Sequence, residues 1–241
     1  MDDIANTTHK VITTVLHQGW CWLPADFGVE PSTLAAAIGP VLPSSAGDKS
    51  KLLRPLDSTE APQKSMSATV GLGPQPFHTD GAWHSTPPRY LVLHCEDAGE
   101  GDCPTLVRPL DWTSLSVSSV TELKRPGWIV RGGGLRRPFY SQILTTAENR
   151  RYIRFDPYCM SSPRGNSDAV GKATSLLLSH SLSKQFQWRE KDTLVLDNWR
   201  CLHARGFGAT LSKGRRLRRW TIGGHHGVDS RSALREGPPV H

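Results

Sequence analysis

A histidine and an aspartate two positions apart, His78 and Asp80, constrain the architecture of this chain more than any other feature. They stand in Phe77-His78-Thr79-Asp80-Gly81-Ala82-Trp83-His84. On extended backbone, residues i and i+2 point to the same side. An imidazole nitrogen and a carboxylate oxygen placed so can share one cation, but they need a third donor from far away in sequence. His203 is the best candidate, in Asp197-Asn198-Trp199-Arg200-Cys201-Leu202-His203, just after the apolar run Thr193-Leu194-Val195-Leu196. Any fold that joins these residues must bring distant strands to one place.

Glycine and proline cut the chain into pieces of the right size for that. With 22 Gly and 18 Pro in 241 residues, many turns and short strands are expected rather than a helical bundle. No apolar stretch approaches the ~20 residues that cross a membrane. The acidic start Met1-Asp2-Asp3-Ile4 lacks the basic and apolar blocks of a signal peptide, so a cytoplasmic location is expected. The five cysteines, Cys21, Cys95, Cys103, Cys159 and Cys201, form no CxxC pair, which argues for free thiols and against a cysteine zinc site. The net charge of +7 is concentrated at Arg131 to Arg137, Arg150 to Arg154 and Lys213 to Arg219. With no nucleic-acid motif beside it, that charge reads as a solvated surface plus a few buried arginines.

Along the chain, residues 2–17 carry Ile4, Val11, Ile12, Val15 and Leu16 at helical spacing. Gly19-Trp20-Cys21-Trp22-Leu23-Pro24 reads as a short strand ended by proline. A second helix is expected over Ser32 to Ile38, started by Pro31 and stopped by Gly39. Residues 43–66 read as a long polar loop, a mobile lid or connection. Strands are expected at Ser67 to Leu72, Arg89 to Cys95 and Thr105 to Val107. A helix capped by Asp111 and running to Lys124 follows. Gly127 to Arg131 and Arg136 to Tyr140 read as a hairpin around the glycines at 132–134, and Arg151 to Asp156 as another strand. Residues 167–187, with Val170, Ala173, Leu176, Leu177 and Leu178, are expected to form the main long helix, with final strands at Asp192 to Leu196 and Leu217 to Ile222. The whole of 1–241 reads as one domain ending in a frayed tail at 225–241. Many short strands with helices at the start and in the middle suit a mainly β double-sheet barrel of jelly-roll type.

Two histidines and one aspartate on a single triangular face, with the remaining positions open, form the donor set of non-haem Fe(II) oxygenases. Further residues line up behind them: Thr105, and the basic run Arg215-Arg216-Leu217-Arg218-Arg219. In combination these stretches resemble the TauD/TfdA family of Fe(II)- and 2-oxoglutarate-dependent dioxygenases. Phe77 to Gly81 resembles the family's first metal motif. Gly101-Asp102-Cys103-Pro104-Thr105-Leu106 resembles its GGDT segment, interrupted by Cys-Pro. Asp197 to His203 resembles its DNR…H motif, with Trp199 where arginine is usual, and Arg215 to Gly224 resembles its arginine-bearing last strand. The likeness covers 77–107 and 192–224 and hardly touches the middle.

The resemblance implies a double-stranded β-helix (jelly-roll, cupin-like) core, with His78, Asp80 and His203 as ligands of Fe(II). It implies 2-oxoglutarate and O2 as co-substrates, and a distal carboxylate of 2-oxoglutarate held by Arg215 and the Thr105 hydroxyl. Arg suits that task because its planar donors meet a carboxylate bidentately. Arg219 would lie near the iron-bound end of the co-substrate or an anionic substrate group, with Arg216 and Arg218 turned to solvent. Trp83 and His84 are candidates for the pocket mouth. The implied reaction converts 2-oxoglutarate to succinate and CO2 while hydroxylating or desaturating a C–H bond of a small, anionic or amino-acid-like substrate. Retention of Asp80 argues against halogenation. A same-fold oxygenase acting on nucleic acid or protein, a jelly-roll binder without turnover, and a zinc hydrolase stay open as alternatives. So does assembly into a homo-oligomer.

Overall fold

The longest apolar runs become the centre of an antiparallel sheet. In this computed structural model residues 2–44, 47–63, 65–132, 137–147, 150–162, 167–179 and 182–224 are described. The N-terminal third comprises α1 (Asp2–Gln18), β1 (Trp20–Leu23), α2 (Pro31–Ile38), β2 (Val41–Leu42), β3 (Lys51–Leu53) and α3 (Met66–Val70). Next come β4 (Tyr90–Asp97), β5 (Thr105–Pro109), α4 (Val117–Leu123), β6 (Trp128–Val130), β7 (Phe139–Ser141), β8 (Leu144–Ala147), β9 (Arg150–Ile153) and β10 (Met160–Ser161). The chain continues through α5 (Ser167–Leu178), β11 (Lys184–Phe186), β12 (Thr193–Asp197), β13 (Cys201–Arg205) and β14 (Arg216–Ile222).

The main sheet has the order β1-β12-β4-β14-β2, with β3 also paired to β14. A second sheet, β11-β5-β13, lies across from it. Every residue of β12 is buried, which is why that strand reads as an unbroken apolar run rather than an alternation. Elsewhere the two faces separate cleanly. Leu91, Leu93 and Cys95 of β4, with Leu217 of β14, pack inward against Val107 and Cys201 of the second sheet. Tyr90, Val92, Trp220 and Ile222 point outward and are covered by Val11, Ile12 and Val15 of α1 and Leu34, Ala35 and Ile38 of α2. The middle of the chain builds a third cluster around Leu123, Trp128, Ile143, Phe155 and Leu177, which reaches Leu202 of β13. The result is helices on sheet on sheet on a middle lobe, with antiparallel pairing throughout.

Several expectations need correction. Ser67 to Leu72 is not a strand: α3 occupies Met66–Val70, and the Ser65 hydroxyl caps it by accepting from the Ala68 N–H at 3.2 Å. The stretch 43–66 is not all loop, because Lys51–Leu53 pairs with β14 as β3. Asp111 does not cap α4; it accepts from the Thr113 N–H at 2.9 Å in a preceding turn, and Ser116 is the cap. The helix expected within 167–187 stops at Leu178, and Lys184–Phe186 forms edge strand β11. The strand at 151–156 ends at Ile153 and pairs with β8, which the sequence reading missed. The hairpin of β6 and β7 is present, while the tail 225–241 lies outside the described residues. Among the described residues no helix is long and apolar enough to cross a membrane.

Candidate metal centre

His203 is placed by a strand. β13 pairs with β5 in a register that sets His203 opposite Val107 and Arg205 opposite Thr105. Since β5 and β13 are antiparallel, directly opposed residues share a face, so His203, Arg205 and Thr105 point into the space between the sheets. His78 joins them through its backbone: its N–H donates to the His203 carbonyl at 3.0 Å, and the His203 N–H donates to the His78 carbonyl at 2.9 Å.

Asp80 is placed by side chains. The Asn198 carboxamide accepts from the Asp80 N–H at 2.8 Å and donates to the carbonyls of Asp80, at 3.0 Å, and Pro88, at 2.8 Å. Thr79 points the other way, its hydroxyl accepting from the Phe155 N–H at 3.0 Å. Gly81 then turns the chain at φ +67, and a side chain there would bring a Cβ to 2.6 Å from Pro88 Cδ. Beyond it, the Arg154 guanidinium, almost wholly buried, binds the carbonyls of Ala82, His84 and Ser85.

The outcome is a buried cluster of His78, Asp80 and His203 whose donor atoms all lie within 4.8 Å of one another. Asp80 Oδ1 is 3.7 Å from His78 Nε2 and 3.8 Å from His203 Nε2. Two donors bonded to one ion at about 2.1 Å can be at most about 4.2 Å apart, so each histidine–aspartate pair has the spacing to share a cation. The protonation states suit the task as well. His78 Nδ1 lies 3.0 Å from the Pro76 carbonyl, which can only accept. Nδ1 therefore carries the proton, leaving the Nε2 lone pair to face the cluster.

Burial, then the neighbouring His78 and Arg219, bring the His203 pKa down to about 3 against the opposing pull of the Asp80 carboxylate, so its ring is neutral. Burial works against ionisation of Asp80, but the Arg219 guanidinium and the two histidines hold its carboxyl well below the usual carboxylate range. Burial likewise disfavours the His78 imidazolium, yet the Asp80 carboxylate raises its pKa overall.

Arg219 of β14 donates to Asp80 Oδ2, which leaves Oδ1 toward the histidines. Arg215 precedes β14 rather than standing on it and is buried; its Nη1 donates to the Cys103 carbonyl and its Nε has no partner among the described residues. Arg205, also buried, donates to the carbonyls of Gly71 and Gly73. Neither Arg205 nor Arg215 has a carboxylate within 4.0 Å among the described residues. Two buried guanidiniums that meet only backbone carbonyls leave positive charge for an anion to compensate. The Thr105 hydroxyl accepts from Trp188 Nε1 at 2.9 Å, so its own proton remains to be donated.

Arg216 is exposed beside Asp97, and Arg218 is half-buried against Glu96 on the outer face rather than open to solvent. Trp83 and His84 follow the metal motif, their rings 5.7 Å apart, with Trp83 set against the middle core cluster. The sequence reading missed Asn198, Arg154 and Arg205 as supporting groups. The available signals were the place of Asn198 inside the Asp197 to His203 motif and an arginine inside the apolar run Ile153-Arg154-Phe155. An open cleft of about 450 Å³, lined by His17, Trp112 and Arg200 among others, lies apart from the cluster and includes none of its residues.

No family model matches the chain, and no curated protein matches it. Solved structures do. The non-haem iron oxygenase OrfP in complex with Fe and α-ketoglutaric acid superposes with a TM-score of 0.67 at 19% identity, over 93% of this chain and 80% of that one. OrfP with Fe, succinate and (3S)-hydroxy-L-Arg gives the same score and identity, over 82% of that chain. Asparagine oxygenase in complex with Fe(II), 2S,3S-3-hydroxyasparagine and succinate gives 0.67 at 17% identity, over 92% of this chain and 79% of that one. The chain therefore has the fold of non-haem iron oxygenases.

Proposed function

We propose that this chain is an Fe(II)- and 2-oxoglutarate-dependent dioxygenase of TauD/TfdA type. It hydroxylates or desaturates an unactivated C–H bond of a small, amino-acid-like substrate and releases succinate and CO2. The observation that carries this is the meeting of His78, Asp80 and His203 inside a fold shared with iron oxygenases that act on amino acids. The same likeness supports a single domain with a double-stranded β-helix core.

The residues present fit the group they would hold. Two imidazoles and one carboxylate are the donors that ferrous iron takes in such enzymes. When bound, iron with 2-oxoglutarate supplies the oxidising power for C–H cleavage by activating O2. The chain's own part is positioning. Asp80 offers Oδ1 while Arg219 fixes Oδ2, and the Pro76 carbonyl fixes the His78 tautomer. Arg215, assisted by the Thr105 proton, takes the distal carboxylate of 2-oxoglutarate, where its freedom from any carboxylate partner makes it available. Trp83, His84 and Arg219 border the substrate. Burial of all three metal ligands excludes bulk water from the reacting centre.

The test is succinate release from 2-oxoglutarate by the purified chain with Fe(II) and ascorbate, first without any substrate. Slow uncoupled turnover that needs iron is expected. Arg215→Met is expected to raise the KM for 2-oxoglutarate on the order of 100-fold, since a charge-assisted bidentate contact is lost. Absence of iron-dependent succinate would overturn the proposal, and an unchanged KM would move the carboxylate seat to another arginine.

A further inference from the structure

Strand β3 was expected to be loop, and its register has a chemical consequence. β3 and β14 pair so that Leu53 stands opposite Leu217 and Lys51 opposite Arg219. Leu217 and Leu53 both pack into the cluster between the sheets, which fixes the inward face of both strands. Lys51, two residues from Leu53, shares that face. Its outward neighbours confirm the alternation: Leu52 is 39% exposed, and Ser50 accepts from Arg218 on the outer side.

Lys51 and Arg219 are thus direct cross-strand neighbours on the face that looks toward Asp80. Two cations in directly opposed positions are destabilising by themselves. An inward-pointing lysine on a short edge strand can protect a sheet edge by its charge, but that role does not call for an arginine directly opposite it. The Lys51 side chain has no hydrogen bond and no carboxylate within 4.0 Å among the described residues. Arg219 donates to Asp80 through Nη1 only, and its Nε has no partner among the described residues. The residue is exposed overall, yet desolvation and then the Arg219 charge lower the Lys51 pKa, with Asp80 acting the other way. Its ammonium therefore sits at the open rim of the cluster, within electrostatic reach of both.

We infer that Lys51 is a substrate-binding residue: together with Arg219 it takes the free carboxylate of an amino-acid substrate at the mouth of the metal centre. The inference rests on the dioxygenase reading above and adds to it the end of the substrate that is held, and by what. An anion between the two side chains removes their mutual repulsion. It also anchors the substrate on β3 and β14, beside Asp80.

The experiment is a melting-temperature titration of the full chain, anaerobic, with Fe(II) and 2-oxoglutarate, against the proteinogenic L-amino acids and their α-carboxamides. At least one amino acid is expected to raise Tm, with its carboxamide needing about tenfold more for the same shift, as loss of one charge-assisted contact implies. Lys51→Met is expected to erase that difference while leaving the Tm shift given by Fe(II) and 2-oxoglutarate alone unchanged. Lys51→Arg is expected to keep it. In turnover with the same amino acid, Lys51→Met raises KM about tenfold with little change in kcat, the signature of lost binding common to ground and transition states. The inference is overturned if no amino acid shifts Tm, if the wild-type chain shows no carboxylate preference, or if Lys51→Met retains it. If Fe(II) with 2-oxoglutarate itself gives the wild-type chain no shift, the dioxygenase reading falls, and this inference with it.

Discussion

His203 and Asp80 reach the same cluster from two different kinds of backbone. His203 stands in the middle of β13, where ladder bonds to β5 on one side and to the His78 backbone on the other set its position. Asp80 stands on a stretch with no regular structure, held by Asn198, by the bond between Thr79 and Phe155, and by Arg154 gripping the carbonyls beyond Gly81. A ladder is made by main-chain groups that every residue except proline carries, so few substitutions can remove it. A loop held by three side chains can be released by changing one of them. The strand wall of the site should therefore tolerate change, and the loop wall should not.

That contrast has a scale of expected effects. The two walls behave alike only at the ligands themselves: Ala in place of His78, Asp80 or His203 should each drop succinate formation to background, and normal turnover in any one would break the ligand assignment. Below that, Arg154→Met strands several buried carbonyls that a charged donor now satisfies, with an expected loss of about 3 kcal/mol in urea unfolding. Asn198→Leu frees the Asp80 backbone. An order of 10- to 100-fold loss of iron affinity is expected, as for other groups that orient metal ligands, measured by equilibrium titration. Smallest is Val107→Ala, directly opposite His203. It should cost about 2 kcal/mol of stability by leaving a cavity, while iron affinity stays within about threefold of wild type because the ladder is intact. An iron affinity as sensitive to Val107 as to Asn198 would erase the distinction between the walls.

The same contrast decides what could be read from sequence. β4 and β12 were legible because apolar residues mark the faces they bury, and His78, Asp80 and His203 because metal donors need particular atoms at particular spacing. Lys51–Leu53 was not legible as a strand: three residues in a polar stretch carry no periodicity, and only β14 across the sheet makes them extended. Residues 67–72 misled in the opposite direction, since the helix there is five residues long and is decided by the Ser65 cap. Asn198 was visible as part of a motif, but its grip on Asp80 spans 118 residues and exists only in three dimensions. Arg154 and Arg205 escaped for the same reason. Their partners are backbone carbonyls, which every sequence contains and none advertises.

The central claim is that three side chains brought together from distant parts of the chain form one site for ferrous iron. Anaerobic equilibrium titration of the purified chain with Fe(II), run beside Asp80→Ala and His203→Ala, tests it most directly. The account predicts one tightly bound ion per wild-type chain and none in either variant. Equal binding by wild type and variants, or saturation at no ion per chain, would contradict it.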